Sequence, residues 1–291
     1  SSALVGRLNE HTRLVTCYTA AGRGQTQAVV LEGAPGLGKT RLAHEFFGWA
    51  AAHSALLLRG QAIATGRQLV YQPLTEALRA CLSTQRDLRA LLNDVWLYEL
   101  SWLLPELRDY FPDLQSPMLS EAEVRPRLFE AITQLVEALA RQQPVVLFID
   151  DLQWADAASL DCLLYASRRW SLNATPVLML FTMRAAAGAP AADAGSSAVN
   201  WLTSAGRALP LTRLQIGPLP PRDARKLVHS FLPAAADEQI GDWLATESGG
   251  YPNVIIETLT ALAEGGYLHQ REGGGWELLG LSSALLVCFF W

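Results

Sequence analysis

Eight consecutive residues, Gly33-Ala34-Pro35-Gly36-Leu37-Gly38-Lys39-Thr40, bring three glycines, a lysine and a hydroxyl together in a spacing suited to holding a polyanion. Glycines let the backbone take positive φ and bring its N–H groups close to phosphate oxygens, and a helix starting at the end of the run points its positive pole at the same anion. The octet fits GxxxxGK[ST], the phosphate-binding loop. Lys39 is one of only two lysines in 291 residues. Its compact ammonium fits inside a closed loop where a planar guanidinium is too wide, and there it would bridge β and γ phosphates while Thr40 offers its hydroxyl to Mg²⁺. The candidate cofactor-binding run extends through Arg41. A glycine turn that binds nothing is the plain alternative.

A second chemical centre lies at Pro144 to Asp151 (PVVLFIDD), an apolar strand ending in two carboxylates. Asp150 is placed to hold Mg²⁺ through water, and Asp151 to orient or deprotonate an attacking water. Paired acids at a strand end also occur as a solvated turn. Farther on, Phe181-Thr182-Met183-Arg184 ends another apolar run. Arg184 is suited to reading a γ-phosphate and stabilising charge as it leaves, or else is a surface arginine capping the strand. Thr182 is either a polar sensor of the water or a buried strand threonine.

These groups need a rigid frame, and the chain supplies its signature for about 215 residues: short apolar runs alternating with amphipathic stretches, the pattern of a parallel sheet covered by helices. The expected strands are 27 to 32, 54 to 59, 144 to 150, 176 to 183 and 211 to 216, with a helix over about 126 to 141 in which Pro126 takes the first position. The stretch around Leu103 to Pro117 reads as a helical insertion with irregular turns. Ala185 to Ser197 reads as an exposed loop. After Gly217 three helices are expected, at 221 to 232, 236 to 247 and 252 to 264, followed by a hairpin over Tyr267 to Leu279 that turns at Gly273-Gly274-Gly275. The apolar Leu285 to Trp291 reads as part of an interrupted core element, with a membrane or partner anchor as the alternative. The expected fold class is therefore α/β: a P-loop NTPase parallel sheet with an extra strand between the strands carrying the phosphate loop and the acid pair. The expected domains are a core over 1–216, a helical lid over 217–266 and a hairpin segment over 267–291, which the family resemblance given below would make a partial winged-helix-like unit.

Composition narrows the function. Half of the residues are apolar, the net charge is −5, and the isoelectric point is near 5.6. No basic footprint for nucleic acid is present. The cysteines Cys17, Cys81, Cys162 and Cys288 lie far apart, against a zinc site or a disulfide framework. No apolar run reaches the ~20 residues of a membrane helix, and no leader precedes the first element, so a cytoplasmic location is the expectation. Guanine recognition by [NT]KxD needs a second suitable lysine. The other lysine, Lys226, follows Arg225 in the expected lid.

Leu4-Val5-Gly6-Arg7, the phosphate loop, Asp150-Asp151-Leu152-Gln153-Trp154-Ala155-Asp156, Phe181 to Arg184 and Gly249-Gly250-Tyr251-Pro252 occur in that order. Together they resemble the AAA+-related ATPase module of STAND regulators, found in LuxR-type transcription activators and in ATPase-linked nucleotide cyclases. The resemblance implies that Val5, Gly6 and Arg7 lie against the adenine and that Pro252 closes over the base or ribose. It also implies that Arg184 senses the γ-phosphate, and that Trp154 and Asp156 support the acid turn, with ordinary packing as the plain alternative for Trp154. The implied function is an ATP- and Mg²⁺-binding switch with slow hydrolysis, whose partners are an effector protein or further copies of itself. Two alternatives remain: a nucleotide-gated interaction module without useful hydrolysis, and a DNA-linked AAA+ ATPase of the replication-initiator or clamp-loader sort.

Overall fold

Three strands of the chain are buried along their whole length, and they form the middle of one sheet. The computed structural model describes residues 4–64, 70–82, 87–115, 121–184, 194–231, 238–270 and 276–278. Strands β1 (Gln27–Glu32), β2 (Leu56–Gln61), β3 (Val145–Asp150), β4 (Val177–Met183) and β5 (Leu211–Gln215) pair in parallel in the order β2-β3-β4-β1-β5. In β1, β3 and β4 every residue is buried, as continuous apolar runs require when helices cover both faces. The edge strands β2 and β5 are partly exposed and carry Arg59 and Arg213 outward. Strand β4 lies between β1 and β3, so the strand leading into the phosphate loop and the strand ending in the acid pair are not neighbours.

Alternation along the strands sends side chains to two helical layers. On one face Phe47 of α2 (Lys39–Ala52) meets Phe148 edge-on with ring centroids 4.9 Å apart. On the other, Phe181 meets Trp201 of α8 (Ala194–Ala208) at 5.1 Å. Ala28, Val30, Leu147, Ile149, Met179 and Phe181 belong to the core on that second face, along with Trp170 of α7 (Ala157–Leu172), which is fully buried and donates its indole N–H to Thr133 O at 3.2 Å. Between β2 and β3 lie α3 (Gln72–Leu82), α4 (Asp94–Leu100), α5 (Glu106–Tyr110) and α6 (Glu121–Ala140), and α1 (Leu8–Gly22) precedes β1.

Three expectations from the sequence are corrected. Strand β2 begins at Leu56, two residues late, because Ser54 takes φ +61° on leaving α2 and pairing opens only with Leu56 N–H donating to Pro144 O. Helix α6 begins at Glu121 and carries Pro126 inside it, since the Glu- and Ala-containing stretch ahead of the proline is itself helix-favouring. The stretch read as a loop to Ser197 is helical from Ala194, since alanine favours helix and Ala198, Trp201, Leu202 and Ala205 form one buried stripe. The first nine residues of that expected loop, the glycine turn at Gly273 to Gly275 and the apolar run from Leu285 lie outside the described residues.

The chain divides into two compact units. The sheet unit comprises Glu10–Glu32 and Ala43–Gln215. The other gathers Ser1–Asn9, Gly33–Leu42 and Ile216–Trp291, so the phosphate loop is grouped with the helices that follow β5. Those helices are α9 (Pro221–Phe231), α10 (Glu238–Glu247) and α11 (Pro252–Glu264), packed through Ala224, Leu227, Val228, Leu244, Ile255, Leu259 and Leu262. After them β6 (Leu268–Gln270) and β7 (Trp276–Leu278) pair antiparallel, with Leu268 opposite Leu278.

Candidate functional site

In the loop-and-helix unit the decisive atoms are mostly main chain. Gly36 and Gly38 take φ +80° and +84°, the left-handed region in which a side chain is strained. A Cβ at Gly33 would stand 2.4 Å from Ile216 O, so no larger residue fits there. Lys39, the first residue of α2, is buried and donates from Nζ to Gly33 O at 3.0 Å and Ala34 O at 2.9 Å. Its ammonium is thereby held within the loop. Ala34 is half-buried, Pro35 exposed, Leu37 buried, Thr40 half-buried and Arg41 exposed.

Two remote segments brace this loop. The buried Arg7 guanidinium donates to Leu37 O at 3.3 Å and to Gly217 O, so the sequence neighbour of Val5 and Gly6 reaches the loop itself. Gly6 takes φ +69°, and a Cβ there would crowd Asp223 Cβ at 2.8 Å. From the far side of the sequence, Asn253 N–H donates to Gly36 O at 3.2 Å. Pro252 occupies the first turn of α11, where its missing N–H costs nothing. The preceding Gly249 and Gly250 have φ +56° and +78°, and Leu219 N–H closes the turn on Gly250 O at 2.7 Å.

In the sheet unit the decisive atoms belong to side chains. Asp150 ends β3 and Thr182 is the last residue but one of neighbouring β4, and both are buried. The Thr182 hydroxyl donates to Asp150 Oδ1 and accepts from Asp151 N–H at 2.8 Å, joining the two acids across the strand pair. Asp151 takes φ +55°, a conformation Asp tolerates better than most residues. Its Oδ1 accepts from Gln153 Nε2 at 2.8 Å, and Gln153 Oε1 accepts from Arg184 N–H at 3.2 Å. The exposed Arg184 guanidinium lies over the Trp154 ring, 5.7 Å from its centroid, within reach of a cation–π attraction. Asp156 caps α7 by accepting from Ser159 N–H at 2.9 Å, and its other oxygen accepts from Tyr71 N–H at 3.2 Å.

The sheet unit thus brings together Asp150, Asp151, Thr182 and Arg184, and the other unit brings together Arg7, the loop and the start of α11. Sequence reasoning gave no role to Gln153 or Asn253. Gln153 stands inside the quoted acid signature, which is the one cue it offered. The residues present fit a nucleotide: glycines free the loop's N–H groups, an ammonium lies within the loop, and a carboxylate is held at the end of β3. Among the described residues there is no group of three or more His, Cys, Asp or Glu side chains that could hold a metal ion. No helix among them is long and apolar enough to cross a membrane.

A five-stranded parallel sheet with GxxxxGK[ST] after β1 and an acid pair after β3 defines a P-loop NTPase. Residues 3–180 match the model of the AAA ATPase domain, and the chain belongs to that family, which implies nucleotide binding and ATPase activity. An uncharacterized protein of Rhizobium meliloti (strain 1021) is 27% identical over 269 residues, covering 87% of this chain but 24% of the relative. The chain therefore spans about a quarter of the length of that relative. Among solved structures it is similar to Cdc6p from Pyrobaculum aerophilum, with a TM-score of 0.57 at 14% identity over 99% of this chain and 71% of that one. It is also similar to the Aeropyrum pernix Orc1 protein in complex with DNA, with a TM-score of 0.52 at 17% identity over 91% of this chain and 61% of that one. A chain of the E. coli MS115-1 HORMA:CdnC:Trip13 complex gives 0.57 at 13% identity over 99% and 89%. At such identities the likeness is one of fold.

Proposed function

We propose that this segment is an ATP-dependent switch of the STAND type, with slow Mg²⁺-dependent hydrolysis, inside a larger signalling or transcription regulator. One observation carries the reading: the phosphate loop is hydrogen-bonded through Gly36 O to Asn253 at the start of α11 and belongs to the same compact unit as α9 to α11. A ligand that reshapes the loop therefore acts directly on a helical body. Turnover matters less than which nucleotide is held.

In this reading the loop N–H groups from Gly33 to Thr40 receive the phosphates, and Lys39 turns from its carbonyl partners to the β and γ oxygens. Thr40 and Asp150 hold Mg²⁺, which when bound neutralises charge on those oxygens. Asp151 orients and deprotonates the attacking water, and Arg184 reads the γ-phosphate. Val5 and Gly6 lie beside the adenine, Arg7 braces the loop behind them, and Pro252 closes on the base or ribose. The hairpin of β6 and β7 begins a winged helix in this reading, and the output belongs to sequence outside the chain.

Phosphate release from Mg²⁺-ATP, parent against Asp151→Asn, tests the hydrolytic half: slow release abolished in the variant supports it. Tight ATP binding with no release from the parent would instead leave a nucleotide-gated interaction module. Amide hydrogen exchange over residues 249–254 tests the switch, which predicts slower exchange with ATP than with ADP; equal exchange would overturn it. The DNA in the Orc1 complex motivates a second reading, a DNA-linked ATPase. That reading predicts hydrolysis stimulated by duplex DNA, which the acidic isoelectric point near 5.6 disfavours.

A further inference from the structure

We propose that Gln153 is the positioning residue for hydrolysis, holding Asp151 in the orientation that activates water and tying it to the end of β4. The proposal rests on the assignment of Asp151 as the water-activating acid and adds to it the group through which that acid is aimed.

At φ +55° Asp151 leaves β3 in a left-handed turn, which sets its Cα but not its carboxylate. A short acid side chain in that conformation turns about χ1 and χ2 until something holds it. Gln153 does so: its Nε2 donates to Asp151 Oδ1 at 2.8 Å from a side chain only 8% exposed. The other end of the same carboxamide is also engaged, since Oε1 accepts from Arg184 N–H at 3.2 Å. An amide has one donating and one accepting end, so the Arg184 N–H fixes the flip and forces the NH₂ toward the acid. With Oδ1 tied, Oδ2 is the oxygen left to take a proton from water.

The link also joins two functions. Arg184 follows directly on β4, and its guanidinium is the proposed reader of the γ-phosphate. Any shift of that strand end is carried by a single side chain to the acid that activates the water attacking the same phosphate. Thr182 adds a second tie by accepting from Asp151 N–H at 2.8 Å, but this fixes the main chain rather than the carboxylate. Gln153 is alone among the described residues in meeting both the Asp151 carboxylate and the exit of β4.

Substitution by residues of similar shape provides the test. Gln153→Met keeps volume and removes both hydrogen bonds, and Gln153→Glu keeps an acceptor for Arg184 N–H but sets a carboxylate against Asp151. Both are expected to fold, as thermal unfolding would verify. Each should lower kcat for ATP by roughly ten- to a hundredfold, the scale of a misaimed reacting group. KM and the affinity for a fluorescent ATP analogue should stay within about twofold, because Gln153 touches no proposed nucleotide ligand through its side chain except by way of main chain. Single-turnover release of γ-labelled phosphate in the Asp151→Asn background sharpens the test: adding Gln153→Met there should change nothing further.

Parental kcat in both Gln153 variants, with Asp151→Asn inactive, overturns the role of Gln153 and leaves Asp151 in place. An equal loss in both backgrounds, or a loss confined to nucleotide affinity, overturns it too. Asp151→Asn hydrolysing at the parental rate, or a parent that releases no phosphate, overturns the underlying assignment and this proposal together.

Discussion

The two halves of the nucleotide machinery are built from different material. Around Gly33 to Lys39 the important groups are carbonyls, N–H groups and positive φ angles, with the ammonium of Lys39 and the guanidinium of Arg7 bonded to loop carbonyls. Around Asp150 the important groups are side chains in series: Asp150, Thr182, the main chain of Asp151, its carboxylate, Gln153 and the exit of β4. A half made of backbone tolerates few residue types at few positions. A half made of side-chain hydrogen bonds fails one link at a time. Under the proposed function the first would govern whether nucleotide is held, and the second what happens to it.

That contrast breaks most visibly at Lys39. Replacing it by Ala removes charge-assisted bonds worth about 1.5 to 3 kcal/mol each, so ATP and ADP affinities should fall together by well over tenfold. Calorimetry giving parental affinity would sink the loop assignment. Next in size is Thr182→Val, which strips the Asp150 carboxylate of a donor and leaves the Asp151 N–H without its acceptor, at a cost of about 1 to 3 kcal/mol. The expected readout is a higher Mg²⁺ requirement for hydrolysis with unchanged nucleotide binding in EDTA; equal loss of both would erase the distinction between the halves.

A smaller effect is expected at Gly36. An alanine there pays the left-handed penalty of about 1 to 2 kcal/mol and sets its Cβ 3.2 Å from Asn253 Cβ. Nucleotide affinity should drop severalfold and amide exchange at the start of α11 should quicken, both measurable on one variant. The smallest effect is a null. Burial raises the pKa of the Cys162 thiol, so that even at pH 8 its reactive thiolate is scarce and shielded. Peptide mapping after brief iodoacetamide treatment should find Cys162 unmodified in the folded chain and modified only after unfolding; rapid labelling would mean the core behind the acid half is open.

The same contrast explains what the sequence disclosed. The loop was legible because phosphate chemistry restricts residue types at fixed spacing, and β3 because a fully buried strand must be apolar up to its terminal acids. The sheet followed from the alternation of strands with helices. Gln153 gave no such signal: its two partners are Asp151 and a main-chain N–H of residue 184, and an amide in a turn is ordinary until both contacts are known. Asn253 lies far from Gly36 in sequence and bonds to it through main chain, which no side-chain type announces. The helix from Ala194 was hidden because alanine, glycine and serine suit a loop as well as a helix until Trp201 and Leu202 are seen to need burial.

Asp156 carries a consequence of another kind. One of its oxygens caps α7 and the other accepts from Tyr71 N–H, at the root of the helical insertion between β2 and β3. The insertion is thus moored at its base to the same short segment that carries the acids. The insertion's buried leucines, among them Leu74, Leu97, Leu100 and Leu107, share one core with Leu147 and Ile149 of β3, so loosening the insertion would be felt at the carboxylates as a softer footing for the acids.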